Sequence, residues 1–326
     1  MSEAVRPLTA ATVPRELLGP PGDVNPTLLV FLLAVGMVVV STLGYWRWHW
    51  VDWGCFVINV VALHLVGTVI HDASHNVAHR NKIFNAILGH GSALMLGFAF
   101  PVFTRVHMQH HANVNDPEND PDHFVSTGGP LWMIAARFLY HEIFFFKRRL
   151  WRKYELLEWF LSRLAVGLVI FFSVQYGFLG YILNFWFSPA LVVGLALGLF
   201  FDYLPHRPFQ ERDRWKNARV YPNPVLNLLI MGQNYHLIHH LWPSIPWYSY
   251  QTAYYATRPL LDAKGCHQSL GLLQGKDFRS FVYDLFLGIR FHGHRSVAEP
   301  VAVSEDDQKA ASLIELEADS LDKLVS

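Results

Sequence analysis

Four long apolar runs organise the chain. The first, TLLVFLLAVGMVVVSTLGYW (27–46), carries no charged residue. As a helix rising about 1.5 Å per residue it is long enough to cross roughly 30 Å of hydrocarbon. The second, WGCFVINVVALHLVGTVI (53–70), follows a connector, YWRWHWVDW, whose tryptophans fit an aromatic belt at a membrane surface. EWFLSRLAVGLVIFFSVQYG (158–177) and FLGYILNFWFSPALVVGLALGLFF (178–201) form a second pair, joined by a tight turn near Tyr176–Gly180. The pattern predicts an all-α integral membrane protein with two transmembrane helix pairs, about four spans.

Between the pairs lies NAILGHGSALMLGFAFPVF (85–103), apolar but interrupted by glycine and containing His90. A single crossing here would place the polar segments on its two sides at opposite membrane surfaces. A re-entrant or interfacial segment keeps them together and is the reading preferred. Lysine and arginine then set the orientation. The loop between the pairs holds Arg105, Arg137, Lys147, Arg148, Arg149, Arg152 and Lys153, whereas the 45–53 connector holds only Arg47. The termini and regions 71–157 and 202–326 are therefore expected on the cytoplasmic side. KRRLWRK (147–153), preceded by three phenylalanines, reads as an interfacial helix whose cations meet lipid headgroups.

Residues 1–26 form a proline-rich leader without the short apolar core and cleavage motif of a signal peptide. Residues 27–295 are expected to be the functional membrane domain. Residues 296–326 form an acidic tail, low in aromatics and expected to be disordered, with Leu313, Leu316 and Leu321 marking a short amphipathic turn.

Composition sharpens the class. Charged residues make up 16% of the chain, against about a quarter in soluble domains. The formal net charge of zero argues against a nucleic-acid partner. Two cysteines, Cys55 and Cys266, with Cys55 inside an apolar run, exclude a disulfide framework or a cysteine-based zinc site. Any metal must be held by histidine and carboxylate.

Eight of the 18 histidines fall into three groups. HDASH sets His71 and His75 at i and i+4. HMQHH sets His107, His110 and His111 at i, i+3 and i+4, and HLIHH repeats that spacing with His236, His239 and His240. Helical geometry gathers each group on one face, and each follows an apolar segment, so all three can converge in a cap at the membrane surface. Crowded imidazoles repel when protonated, and when neutral each still has two ring nitrogens to satisfy. A bound cation resolves both conflicts. Eight imidazoles exceed the ligand count of one zinc site, so two metals with open positions are the economical number. Imidazole suits iron, copper, zinc and nickel alike. Asp72, Asn113, Asp116, Asp120, Asp122 and Asn234 are candidate partners for the outer ring nitrogens.

Among the other histidines, His64 lies seven residues before His71 and is expected to bond a backbone carbonyl. His79 and His90 read as structural. His123, His141, His267, His292 and His294 have no partner at ligand spacing, and His49 falls on the opposite surface. Trp242, Trp247, Tyr248 and Tyr250 are candidates for a substrate pocket or for an interfacial belt.

Read together, HDASH, HMQHH and NYHLIHHLWPSIPWY resemble the three histidine boxes of the membrane-bound fatty-acid desaturase and hydroxylase superfamily. The resemblance covers roughly residues 30–260, and the three boxes are specific only in combination. It implies a non-haem di-iron centre, two iron ions that activate O2. It also implies a ninth histidine four residues after an amide that holds metal-bound water. Here that position is His206, and Asp202 stands in place of the amide. HDASHNVAH, HHANVNDPENDPDHF and NYHLIHHLWPSIPWYSY look most like cyanobacterial-type β-carotene hydroxylases. That branch implies hydroxylation of β-carotene at C3 of the β-ionone ring to give zeaxanthin. Such a C–H bond is not acidic, so acid–base catalysis does not suffice, and zinc has no redox chemistry to offer. The sequence has no GxGxxG unit, so electrons are expected from an external ferredoxin. The membrane implied is a plasma or thylakoid membrane.

Alternatives with the same metal site are a carotenoid ketolase and a fatty-acid desaturase. From a different class, a metal-ion transporter would place ligands along a path through the bilayer centre. The histidine groups at helix ends argue against it, as their i, i+3, i+4 spacing does against a b-type cytochrome.

Overall fold

The computed structural model describes residues 13–19, 21–270, 272 and 275–289. Most of the leader, the acidic tail with its leucine turn, and His292 and His294 lie outside the described residues. Among those described there is no strand, only an isolated bridge between Arg219 and His267. Both cysteines are buried and free.

Among the described residues, four helices are long and apolar enough to cross a membrane. In α1 (Pro26–Trp48) the side chain of Asn25 accepts from the N–H of Leu28, and Pro26 occupies the first position, where its missing N–H costs nothing. The chain turns back through left-handed His49 into α2 (Asp52–Ser74). The second pair is α8 (Glu155–Gln175) and a continuous span, α9 (Leu179–His206). Gly67 on α2 lets α9 approach so closely that a Cβ there would sit 2.8 Å from the Leu197 side chain. Two π-helical segments in α9, Leu183–Phe187 and Gly198–Tyr203, stand just ahead of Pro189 and Pro205. A proline breaks the i to i−4 ladder, and a widened turn absorbs the break. The second widened turn carries Asp202 and leads directly to His206.

The 85–103 region divides into α3 (Lys82–Leu96) and α4 (Phe100–Ala112), bent 98° apart. Leu88 of α3 packs with Leu28 and Phe31, and Met95 and Leu96 pack with Phe31, Met37 and Val38 farther along α1. The segment thus descends beside α1, turns at Gly97 (φ 80°) and leaves along α4. A backbone break at this depth must find partners inside the protein, since lipid offers none. It finds three. Trp186 donates to the Met95 carbonyl (2.7 Å), Arg163 to that of Gly97 (2.8 Å) and Ser162 to that of Phe98 (3.1 Å). Arg163 is held in turn by Glu142 (3.0 Å), which also accepts from the Trp159 indole. Because the elbow does not cross, the ends of α2 and α4 meet on one side, as the re-entrant reading expects.

The rest is short helices in the connection and the cap: α5 (Pro121–Thr127), α6 (Ile134–Arg137), α7 (Leu139–Lys147), α10 (Pro224–Leu229), α11 (His236–Leu241), α12 (Tyr250–Ala263) and α13 (Gly275–Phe286). Tyr235, Leu237, Ile238, Leu241, Tyr250 and Leu261 make a cap core that fixes α11. KRRLWRK corrects the sequence reading, because α7 ends at Lys147 and no helix follows until Glu155. Arg149 adopts φ 55°, and the N–H of Leu150 bonds the Phe145 carbonyl (3.1 Å). This closes the helix with a left-handed cap and turns Leu150 and Trp151 onto Phe144 and Phe145. Charge patterning cannot register that apolar pull.

Arg163→Leu removes the Gly97 carbonyl's partner and leaves Glu142 with less compensation. We expect a loss of about 1–3 kcal/mol, read as a lower thermal midpoint of detergent-purified protein, with Arg163→Lys recovering part of it. An unchanged midpoint for Arg163→Leu contradicts this account of the elbow.

Candidate metal centre

Nine histidines meet where α2, α4 and α9 end and α11 runs. His71 lies in the last turn of α2, and His75 caps it. Asn85 holds the following reversal by donating to the Ala73 carbonyl (2.9 Å) and accepting from Ala78 (3.2 Å) and His79 (3.3 Å). His107, His110 and His111 share one face of α4; His236, His239 and His240 share one face of α11; His206 ends α9.

The side chains form two groups of four, His71, His75, His107 and His239, then His110, His206, His236 and His240. Within each, one ring nitrogen per residue lies within 4.8 Å of the others. Two imidazole ligands on opposite sides of one ion, each about 2.1 Å away, are about 4.2 Å apart, so each group spans little more than a coordination sphere. His111 lies between them, its Nε2 3.1 Å from that of His107 and 2.8 Å from that of His239, its ring stacked at 4.4 Å on His240.

Hydrogen bonding tests whether a metal fits. Carboxylates and carbonyls only accept, so Nδ1 of His110 donates to Asp120 (2.9 Å) and Nδ1 of His206 donates to the Asn217 carbonyl (2.9 Å). In a neutral ring that leaves Nε2 a bare lone pair. Yet Nε2 of His110 faces Nε2 of His240 (3.3 Å), and Nε2 of His206 faces that of His236 (3.1 Å). His236 also has its Nδ1 engaged, by the Gln233 side-chain oxygen (3.0 Å). Neither nitrogen of buried His71 has a hydrogen-bond partner. Inward-facing lone pairs in a dry pocket need a cation, and the residues present fit one in each group.

The outer contacts orient the rings, as they do around metal-ligating histidines generally. The Tyr250 hydroxyl lies 3.0 Å from His239 Nδ1. His141 donates to Asp122 (2.7 Å), whose other oxygen is 3.6 Å from His110 Nδ1. Burial opposes charge on Asp122, but His110 and His141 outweigh it and hold the carboxyl below its ordinary value. His236, His239 and His240 lie well below the ordinary histidine value of 6.5, through burial and then through repulsion from neighbouring imidazoles.

Of the proposed outer partners, Asp120 and Asp122 take those places, and others do not. Asp72 accepts from Thr27 (2.9 Å), tying α2 to the start of α1. Asp116 accepts from the N–H groups of Glu118 (2.8 Å) and Asn119 (3.2 Å) and pairs with Arg212, a local turn that uses up its carboxylate. Asn234 donates to the carbonyls of Tyr221 and Asn223, and Asn113 to that of Gln109. Asp202 is buried on the wall of the cavity described below, one oxygen without a partner. His64 donates to the Leu229 carbonyl (2.9 Å), as expected, and His79 accepts from the Asn81 N–H (2.9 Å). His141, Gln233 and Tyr250 were not identifiable as ring partners from spacing, since each is isolated from the ligand pattern or belongs to an apolar one.

A cavity of about 490 Å³ ends on His71, His107, His110 and His236. Phe98, Phe103, Phe138, Trp186 and Phe201 line it, and Ile170, Leu183 and Phe187 form an outer wall. Those three are 45%, 45% and 53% exposed within spans, so the mouth faces hydrocarbon between α8 and α9. Trp242, Trp247, Tyr248 and Tyr250 are not part of its lining. Trp242 and Tyr250 belong to the cap core, and Trp247 donates to Thr27 (3.1 Å).

Fold and site define a helical membrane protein with paired histidine clusters able to hold metal. The chain belongs to the fatty acid desaturase family, which its residues 47–270 match. It is 31% identical over 219 residues to the dihydrorhizobitoxine desaturase of Bradyrhizobium elkanii, covering 56% of this chain and 60% of that protein. It is 24% identical to the sn-1 oleoyl-lipid 12-desaturase of Anabaena variabilis, over 67% of this chain and 73% of the relative. A beta-carotene ketolase of a Paracoccus species is 28% identical, over 68% and 81%.

His141→Phe deletes the contact that steadies Asp122 beside His110. We expect metal affinity of one site to weaken about 10–100-fold in chelator competition; equal retention contradicts the role. Acidity supplies a second check. Because the cap histidines resist protonation when folded, the unfolded chain binds more protons below about pH 6.5. Stability and metal retention therefore decline as pH falls below that value, with His110 running the other way because its burial is outweighed by Asp120 and Asp122, which raise it to about 9. A thermal midpoint that holds or rises on acidification contradicts the assignment.

Proposed function

We propose that the chain is a β-carotene 3-hydroxylase, forming zeaxanthin from β-carotene and O2 at a di-iron centre held by His71, His75, His107, His110, His111, His206, His236, His239 and His240. The observation that carries this reading is the aromatic cavity open to hydrocarbon and ending on both histidine groups. A polyene dissolved in the bilayer can insert its ring end there without crossing water. The box motifs that resemble β-carotene hydroxylases and the ketolase relatives support the carotenoid class.

Iron bound by these residues supplies the O2-derived oxidising power that a non-acidic C–H bond demands. The chain's own residues do the rest. Phe98, Phe103 and Phe201 shape an apolar slot that excludes bulk water and holds the ring against the histidines. Asp120 and the Asn217 carbonyl fix the Nδ1–H tautomers of His110 and His206, which keeps each Nε2 directed inward. Reducing equivalents come from outside, from a ferredoxin. The site faces the cytoplasm of a plasma or thylakoid membrane, as the lysine and arginine distribution indicates.

A ketolase is the second reading, favoured by the similarity to beta-carotene ketolases of two Paracoccus strains. Pigment analysis separates the two. A β-carotene-accumulating bacterial host expressing the chain with ferredoxin and its reductase should form zeaxanthin and its monohydroxylated precursor, and His110→Ala should form neither. Keto-carotenoid assigns the chain to the ketolases; unchanged pigment with new double bonds in host lipids makes it a desaturase.

A further inference from the structure

One short helix of the cap has no place in the oxygenase reading. α10 is PVLNLL, and its Val225, Leu228 and Leu229 are 65%, 75% and 60% exposed. None of its residues is buried. From Val220 to Thr257 the chain has no lysine, arginine, aspartate or glutamate. Three leucine-sized side chains facing water would forgo about 1.5–3 kcal/mol each in burial, so this face calls for an apolar medium.

His64 shows how deep that face lies. Its Nε2 donates to the carbonyl of Leu229, the last residue of α10 (2.9 Å). His64 stands eight residues before Asp72 on α2, and Asp72 bonds Thr27 in the first turn of α1, which marks where the apolar part of that span begins. At 1.5 Å per residue, His64 lies about 12 Å toward the bilayer centre from that level. The C-terminal end of α10 is therefore at hydrocarbon depth, although sequence places it in the cap. We propose that α10 is a membrane-dipping helix that presents Val225, Leu228 and Leu229 to the acyl chains of the leaflet on the metal side, hung by its last carbonyl on His64.

The segment meets the condition for backbone in lipid, that polar groups be satisfied internally. The Asn223 side chain accepts from the Leu226 N–H (2.9 Å). The N–H of Ile230 bonds the Leu226 carbonyl (2.9 Å), and that of Gly232 bonds the Asn227 carbonyl (3.0 Å). Asn234 donates to the carbonyls of Tyr221 and Asn223 (both 3.4 Å), closing the excursion at its base. Gly232 (φ 82°) then returns the chain to Gln233 and His236. A histidine within a span, serving a carbonyl that lipid cannot serve, repeats what Arg163, Ser162 and Trp186 do at the elbow.

The test is depth. The full chain in phosphatidylcholine vesicles carries a spin label at Leu228→Cys, with Leu33→Cys on α1 and Ala263→Cys on the cap as references. Collision rates are read with O2, which concentrates in hydrocarbon, and with an aqueous nickel chelate. Leu228 should match Leu33, O2-accessible and shielded from nickel. His64→Leu should raise nickel access at Leu228 and leave Leu33 unchanged. Nickel access equal to that of Ala263 overturns the proposal. So does spin–spin broadening that disappears on dilution with unlabelled protein, since a second copy then covers the face. If His64→Leu leaves Leu228 shielded, the hanging contact is overturned.

Discussion

Everything in this structure serves one awkward requirement, that nine imidazoles crowd into one largely buried space with their ring nitrogens facing one another. Full protonation would pile positive charge into this space; in neutral rings the Nε2 atoms of His206 and His236, 3.1 Å apart, have no hydrogen to share, because both Nδ1 atoms donate elsewhere. A cation in each group would reconcile the arrangement. The acceptors behind the rings, Asp120 and the Asn217 carbonyl among them, impose the tautomers that create the conflict. They hold the site ready for metal at the expense of hydrogen bonding within the cluster.

Bringing the rings together in a membrane imposes a second requirement. α4 can reach the end of α2 only if the chain enters the bilayer and turns back, and the turn exposes carbonyls where there is no water. Trp186, Arg163 and Ser162 answer that need from α8 and α9. The elbow and one of the residues that satisfy it also form part of the wall between metal and lipid, since Gly97, Phe98 and Trp186 line the cavity. Closing the fold and shaping the access route are thus one piece of architecture.

The spans were legible in the sequence to within a few residues, because an uncharged run of that length has few other fates. The histidine clusters were legible for a similar reason, as i, i+3, i+4 spacing survives any packing of the helix that carries it. Tertiary partnerships were not. Asp72, Asp116 and Asn234 sit close to the boxes in sequence yet bond elsewhere, while His141, nineteen residues from Asp122, reaches it through the packing of α7 on α5. The basic run at 147–153 advertised a helix by charge, but Leu150 and Trp151 decided its course by burial. The widened turns that let α9 continue past Pro189 and Pro205 depend on neighbours no local pattern records.

The central claim is that the two histidine groups each hold iron. It is tested most directly by metal analysis of the full chain purified from iron-replete cells, with Mössbauer spectroscopy on iron-57-enriched material. The account predicts two irons per chain, both in nitrogen-rich non-haem environments. One metal per chain, or zinc in place of iron, would contradict it.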